Sequence, residues 1–421
     1  MRIKCPNIKG VGVVLLFVYS VIVITPYLNR NLPPVLNGIL FVIASGWICF
    51  ISTSFPSVEK IPTLYFWIII HVLQSVIYYV VDLSTCSFAK LLAEIMCFLS
   101  IITFCQFSRI SIDQKIGFYI LSIFVIVINV VDNIRLNLIY PNASEGLNFA
   151  YGEAYLEMNI GDSAFCGFVS LVATLCFLAA ILEKKNIYLF IVIVCAIYLY
   201  ITSRMLALIT FVVGIVMVLL VLATWNKRPY KRMAQMAGVV CIIAVFSMFL
   251  PNVLYKMSEM VSSQRLAPRL REFASILRFS NIGTNGYSSL GSGRIELYIM
   301  SIKTWLANPA NFLFGIGVHP SEVPLLNSVG IGAHSSFFDF LAEYGIIGLM
   351  SLFYILKLSY ATIYKRIRNP KLRVLSKGLY VLFIMTALVN NVFSITFFIM
   401  IYAIIPSYLE INDYKIVKEG L

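Results

Sequence analysis

The sequence predicts an all-α polytopic membrane protein with about twelve transmembrane helices, and three observations lead to this fold class. Of the 421 residues, 60% are hydrophobic and only 12% are charged, whereas soluble domains contain about 25% charged residues. The mean hydropathy is +0.90. The apolar residues also fall in successive stretches of about 20, the length that crosses a bilayer core of roughly 30 Å. These values exclude a water-soluble fold.

Eleven apolar tracts carry the predicted spans. Nine of them precede a break in the pattern, near residues 10–28, 33–53, 63–82, 87–106, 116–132, 163–182, 187–203, 205–224 and 234–251, and a tenth lies at 337–357. The last tract, from Gly378 to Leu409, is too long for one untilted helix. Asn390-Asn391 in its middle predicts a tight turn between two short helices. We therefore expect twelve helices, with eleven as the alternative.

The distribution of charge predicts the orientation. A net charge of +13 could indicate a nucleic-acid partner, but the positions of the basic residues argue against it. They cluster at 227–232 and 357–377, while the loop at 132–162 is acidic. Lys and Arg collect in cytoplasmic loops of membrane proteins. Residues 1–251 are thus expected to hold helices 1–9, residues 252–336 a large external loop, and residues 337–421 helices 10–12 with a cytoplasmic C-terminus.

The external loop carries structural signals of its own. Loops longer than about 12–15 residues are usually functional or disordered. Ile295, Tyr298, Ile299, Ile302 and Leu306 recur at helical spacing, which predicts an amphipathic helix that lies along the membrane surface. This helix would be capped by Ser292 and closed by Asn308-Pro309.

Glycines follow the predicted loop helix. Gly315 and Gly317 fit a tight turn or a close approach of two backbones at the end of the loop. Gly345 and Gly348 are expected to let the tenth helix pack closely on a neighbour.

Two arginines lie where an anion is expected to bind. Arg204 falls at the predicted outer end between two helices with almost no loop, where it either snorkels to the interface or binds an anion. Arg294 falls in the first turn of the loop helix, where free backbone N–H groups and the helix dipole favour a phosphate. The alternative for Arg294 is a surface pair with Glu296 or a lipid headgroup.

A basic stretch within the loop contains Arg265, Arg269 and Arg271. An amphipathic face resting on acidic headgroups is favoured, and the alternative is a positively charged rim that attracts an anionic lipid-linked substrate.

Histidines and carboxylates surround the start of the tenth helix. His319 and His334 lie in the loop, and Asp339 and Glu343, four residues apart, share one helix face. His334 is a candidate base with an orienting carboxylate, although a lone loop histidine is commonly just exposed. A metal site on these four residues is disfavoured, because they lack a tight ligand spacing such as two histidines four apart on a helix.

Three stretches together resemble the O-antigen polymerase and O-antigen ligase superfamily of bacterial envelope polysaccharide assembly. They are "TSRMLALITFVVGIVMVLL", "GSGRIELYIMSIKTWLANPANFLFGIGV" and "AHSSFFDFLAEYGIIGL". Their order also matches the family: an arginine that opens a helix, a Gly-Arg start of the loop helix, a Gly-x-Gly turn, and His-Ser before a Gly-x-x-Gly helix.

This resemblance implies a GT-C type membrane fold and metal-independent transfer of a glycan from undecaprenyl diphosphate to a sugar hydroxyl. Arg204 and Arg294 would match the family arginines that hold the diphosphate, and His334 the loop histidine associated with the acceptor. No cofactor, nucleotide sugar or divalent cation would be required. A helper role for Glu343 in orienting or sharing the proton is inferred from the residues alone, as is substrate binding by the loop arginines, Asp339 and His319.

The expected function is therefore a polymerase in the bacterial inner membrane, with its site facing the periplasm or exterior. The expected partners are an undecaprenyl-diphosphate-linked oligosaccharide, the lipid bilayer, a chain-length regulator and a flippase, with no nucleic acid. The alternatives are an O-antigen ligase that transfers polysaccharide to the lipid A core, a polysaccharide flippase or transporter, and a non-catalytic scaffold. Carriers usually place polar groups and helix breaks at the bilayer midplane, whereas most charges here lie at the predicted outer surface.

Overall fold

The computed structural model confirms an all-helical architecture, and the residues that it describes contain no β-strand. These residues are 8–51, 61–81, 88–140, 158–161, 163–202, 205–224, 252–253, 255–260, 271, 292–317, 330–332 and 334–419.

The main helices follow one another through the described ranges. They are α1 (Ile8–Ile24), α2 (Pro26–Asn31), α3 (Pro34–Ile51), α4 (Ile61–Val81), α5 (Phe88–Phe107), α6 (Ile112–Ile139), α7 (Ser163–Glu183), α8 (Asn186–Ile201), α9 (Met205–Thr224), α10 (Ser292–Leu306), α11 (Pro309–Phe314), α12 (Ser336–Ile363), α13 (Pro370–Val389), α14 (Ile395–Ile399) and α15 (Ile405–Glu419). A 3₁₀ turn (Tyr364–Arg366) follows α12, and a π-helical turn (Met400–Ile404) joins α14 to α15.

Seven helical segments of the described chain are long and apolar enough to cross a membrane, and four shorter apolar helices accompany them. The long segments are α4, α6, α7, α9, α12, α13 and the continuous rod from α14 to α15; the shorter ones are α1, α3, α5 and α8. Each coincides with a predicted span. The predicted span at 234–251 lies outside the described residues, so the count of twelve stays a prediction.

Two helices extend well beyond their predicted spans. Helix α6 continues past Asp132 to Ile139, and Asn133 and Asn137 each donate a side-chain hydrogen bond to the carbonyl four residues earlier, both at 2.8 Å. Helix α12 continues past Lys357, whose ammonium group lies 5.9 Å from the centroid of the Phe353 ring. A long basic side chain can cover apolar surface in this way while its charge stays at the boundary.

Most of the basic segment at 357–377 consequently lies within the ends of two helices. Only residues 364–369 separate α12 from α13, and part of that connection is the 3₁₀ turn. Asp413 of α15 accepts the backbone N–H groups of Arg368 and Asn369, at 3.1 and 2.6 Å. The connection is thus bound to the end of the last helix.

The rod formed by α14, the π-helical turn and α15 runs through the middle of the bundle. Every residue from 397 to 413 is buried, and the rod packs among α1, α5, α6, α7 and α13. A helix that is apolar on all sides is expected in such a central position. The turn before it, at Asn390-Asn391, separates α13 from α14 as predicted.

Candidate functional site

Helix α12 is broken at Gly345, which has φ = +62° and ψ = −165°. Near the break, the carbonyls of Ala342 and Glu343 accept hydrogen bonds from the backbone N–H groups of Ile316 and Gly317, both at 2.9 Å. A break in the helix frees carbonyl groups that then need other partners. The segment that follows α11 supplies those partners, so it is joined to the beginning of α12 by backbone pairing.

The pairing requires two glycines at the point where the backbones meet. A Cβ added to Gly315 would lie 2.3 Å from the Glu343 carbonyl oxygen, and one added to Gly345 would lie 2.5 Å from the Leu313 carbonyl oxygen. The sequence predicts close backbone approach at both positions. However, the neighbour of Gly345 is the end of the short helix α11, whereas the prediction was that it is a neighbouring helix of the bundle.

Helix α10 packs on α12 through a polar face. Ser301 and Thr304 are fully buried, whereas the predicted apolar stripe leaves Ile299 and Leu306 exposed by 41% and 57%. The predicted helix therefore exists, but only part of its apolar stripe contacts the bundle: the Tyr298 ring lies 5.7 Å from that of Phe338, while Ile299 and Leu306 stay exposed. The reason is that hydroxyl groups on α10 satisfy polar groups of α12 and of residues 330–332, which periodicity cannot reveal.

Asp339 and Ser301 connect three segments of the site. The Ser301 hydroxyl donates to the Asp339 carboxylate at 2.7 Å and accepts from the Gly332 N–H at 3.0 Å. The second Asp339 carboxylate oxygen accepts the Ser335 N–H at 3.0 Å. Asp339 thereby fixes the start of α12 to α10.

His334 is half-buried immediately before α12. Its Nδ1 lies 2.9 Å from the Gly332 carbonyl oxygen. A carbonyl oxygen can only accept, so Nδ1 carries the hydrogen and Nε2 is the basic nitrogen of the neutral ring. A backbone carbonyl thus orients the imidazole, the role that the sequence reasoning gave to a carboxylate.

A cavity of about 500 Å³, lined by apolar side chains and several charged ones, opens beside the start of α12. Asp339 and Glu343 line it together with Glu94 from α5 and Arg30 from α2, and Ile331, three residues before His334, also contributes. Both helix-12 carboxylates are nearly buried, with 6% and 7% exposure. The cavity lies at the bundle end formed by the end of α1 and the starts of α3, α5, α12 and α14, the end that the charge pattern predicts to be external.

Sequence reasoning did not assign two of these lining residues to the site. Arg30 donates hydrogen bonds from its guanidinium to the carbonyls of Met158 and Ile160, at 3.3 and 2.7 Å. Glu94 lies within the predicted span at 87–106. An ionisable residue inside a membrane segment is a functional candidate by default, so its position in that span is the signal that could have identified it.

Several predicted site residues lie outside the described residues: Arg204, Arg265, Arg269 and His319. Arg204 directly precedes α9, and both α8 and α9 pack on α7. Arg271 is exposed, and its Nε donates to the Ser258 hydroxyl at 3.2 Å. Arg294 belongs to the first turn of α10, seven residues and therefore about 10 Å along the axis before Ser301.

Residues 189–353 match the family model described as O-antigen ligase. Over these residues the chain is similar to the O-antigen polymerase and ligase superfamily, which supports the resemblance noted in its sequence. The match runs from α8 into α12 and contains Arg204, Arg294, His334, Asp339 and Glu343. No curated protein sequence matches the chain.

The superfamily match and the seven long apolar helices together identify a multi-pass membrane protein with a polymerase or ligase type of function. The cavity is lined by residues from inside and outside the matched region. Glu94 and Arg30 precede the matched residues, while Asp339 and Glu343 lie within them. Residues from both parts of the chain therefore face the same space.

Proposed function

We propose that this protein is a polysaccharide polymerase of GT-C type in the bacterial inner membrane. It transfers a growing glycan from undecaprenyl diphosphate to a sugar hydroxyl of a second lipid-linked repeat unit, on the periplasmic or external side. The observation that carries the proposal is the cavity at the start of α12, where Ser336, Asp339 and Glu343 of the family-matched region line a space together with Glu94 and Arg30. Small-molecule sites typically have cavities of roughly 300–1,000 Å³.

The proposed transfer divides its work between anion binding and proton removal. Departure of the lipid diphosphate builds negative charge, which the guanidinium groups of Arg204 and Arg294 stabilise. The acceptor hydroxyl gives its proton to Nε2 of His334 as its oxygen bonds to the anomeric carbon. Glu343 orients or shares that proton, and the loop arginines at 265, 269 and 271, together with His319 and Asp339, help to hold the substrate.

The decisive experiment uses purified protein and lipid-linked repeat units extracted from cells that lack it. We expect a ladder of glycan lengths on the lipid diphosphate. Transfer only to an added lipid A core would instead identify a ligase. If neither acceptor gives a product, the protein is not a transferase of this kind.

A transporter remains the second candidate because one observation favours it: α12 is a discontinuous helix, as many carriers have. In carriers the freed backbone groups usually line the substrate path. Here the freed carbonyls of Ala342 and Glu343 are instead bound by Ile316 and Gly317. This pairing favours a rigid site over a moving gate.

Replacing His334 by Gln should lower turnover by about 100-fold or more, because general-base catalysis typically contributes 10²–10⁴-fold. Binding of the lipid-linked repeat unit should stay close to that of the wild type. Single-turnover rates and equilibrium binding, measured on the same preparation, separate the two effects. Unchanged turnover would refute the base role.

Chelation provides a further test, because the proposal assigns charge stabilisation to arginines alone. We expect EDTA to leave the polymerisation rate unchanged at constant ionic strength. Strong inhibition that added Mg²⁺ or Mn²⁺ reverses would contradict the metal-independent mechanism.

A further inference from the structure

Helix α5 carries a carboxylate that the proposed transfer does not use. The Glu94 side chain lines the cavity and is 13% exposed. Carboxylates inside a membrane segment are costly, and those that occur usually face a polar cavity and serve function. The position of Glu94 therefore calls for a ligand or a partner that stabilises its charge.

Two side chains lie next to Glu94. His71 Nε2 lies 3.3 Å from its Oε1, and the Tyr344 hydroxyl, which contacts the Ser75 hydroxyl at 2.9 Å, lies near the same carboxylate. His71 itself is only 1% exposed. Its ring is enclosed by those of Phe98, Phe340 and Tyr344, at centroid distances of 4.2, 5.0 and 4.6 Å.

A second buried pair shows what a purely structural ion pair looks like in this protein. Lys115 and Glu410 form a direct ion pair at the opposite end of the bundle, and their side chains are only 2% and 6% exposed. The Lys115 ammonium also donates to the Ser108 carbonyl at 2.6 Å. This pair is closed off by its surroundings, whereas Glu94 has one side open to the cavity.

The other walls of the cavity match a carbohydrate. Its lining contains the amide groups of Asn29, Asn37 and Asn391 and the carboxylates of Asp339 and Glu343. It also contains the aromatic rings of Phe98, Phe340 and Phe393. Carboxylate oxygens accept hydrogen bonds from hydroxyl groups, side-chain amides both donate and accept, and rings supply the apolar surface of a small-molecule site.

We propose that Glu94, which lies against His71 and opens on the cavity, is a sugar-binding residue that accepts hydrogen bonds from the repeat unit there. This inference rests on the proposed function. Three carboxylates line the cavity, and the guanidinium of Arg30 already binds the carbonyls of Met158 and Ile160. Three carboxylates against one guanidinium give the lining a net negative charge, so the cavity favours an uncharged or amino sugar over an acidic one.

Glu94→Gln tests the proposal because it retains the shape of the side chain and removes its charge. The probe is the lipid-linked repeat unit extracted from cells that lack the protein. A hydrogen bond to a charged acceptor is worth about 10- to 100-fold in affinity, so KM and Kd should rise by about that factor. The turnover number at saturation should stay near the wild-type value, a separation that a general loss of structure would not produce.

Glu410→Gln is the matched control, since it makes the same chemical change in the closed ion pair. It should lower the melting temperature in detergent without raising KM. If folded Glu94→Gln protein binds the repeat unit as tightly as the wild type, the sugar-binding role is overturned. If Glu94→Gln weakens binding but the wild type forms no polymer, the polymerase proposal alone is overturned, and absence of binding by the wild type overturns both.

A measurement on unmodified protein covers the case in which Glu94→Gln does not fold. A water-soluble carbodiimide labels accessible carboxyl groups, and peptide mass spectrometry reads the label at each residue. We expect the repeat unit to protect Glu94 while leaving the labelling of exposed carboxylates such as Asp113 unchanged. Labelling of Glu94 that the repeat unit does not reduce would overturn the proposal.

Discussion

Alanine at Arg294 or at Arg204 should lower polymer synthesis by about 100- to 1,000-fold, the cost of removing one preorganised donor to a developing anion. Arg294 lies in the first turn of α10, where backbone N–H groups add to its effect. The measurement is the length distribution and amount of polysaccharide, made by purified protein from extracted lipid-linked repeat units.

Lysine at the same positions separates charge from geometry. It retains the positive charge but not the planar pair of donors, so Arg294→Lys should recover only part of the activity. Arg135→Ala is the matched control, because Arg135 is 69% exposed and pairs with Asp132 within α6, at the same end of the bundle. Near-normal chains from Arg294→Ala or Arg204→Ala would remove that residue from the site.

The sequence predicts the membrane-spanning helices well because their signal is local. An apolar stretch of about 20 residues has few alternatives, and every long apolar helix among the described residues coincides with a predicted span. The turn at Asn390-Asn391 is equally local. Its position is confirmed, and the Ser336 hydroxyl accepts the N–H groups of Val392 and Phe393 there, at 2.7 and 3.1 Å.

The composition of the site was harder to predict because it depends on contacts between distant segments. Glu94 and Glu343 are 249 positions apart in the numbering of the chain, yet they line one cavity. The polar face with which α10 packs on α12 could not be predicted for the same reason. Ser301 is buried because Asp339 and Gly332 need its hydroxyl, and hydrophobic periodicity contains no information about such partners.

The surroundings of His71 differ from those that its sequence position indicates. Within an apolar span and near Gln74 it is interpreted as a satisfied polar group between helices, but neither ring nitrogen has a hydrogen-bond partner among the described residues. In the structure Gln74 instead donates to the Tyr78 hydroxyl and the Tyr344 carbonyl, at 2.8 and 3.2 Å, and His71 faces Glu94. His71 matters for the site because it lies next to Glu94. This neighbour is visible only from the packing of α4 on α5.

Alanine at Gly345 should have the largest effect on the folded state. The residue has φ = +62° and ψ = −165°, a region that is essentially restricted to glycine and costs other residues about 1–3 kcal/mol. The added Cβ would also lie 2.5 Å from backbone atoms of Leu313. We expect a lower melting temperature in detergent and loss of polymer synthesis, because the backbone pairing of Ile316 and Gly317 with α12 must shift.

Gly117→Ala provides the matched control for this prediction. Gly117 lies inside α6, and a Cβ there would meet nothing within 4 Å. Replacing glycine by alanine in a helix interior adds up to about 1 kcal/mol of helix stability, so the melting temperature should stay the same or rise. If Gly345→Ala melts like Gly117→Ala and retains activity, then the break in α12 and its pairing with residues 315–317 are not needed to form the site.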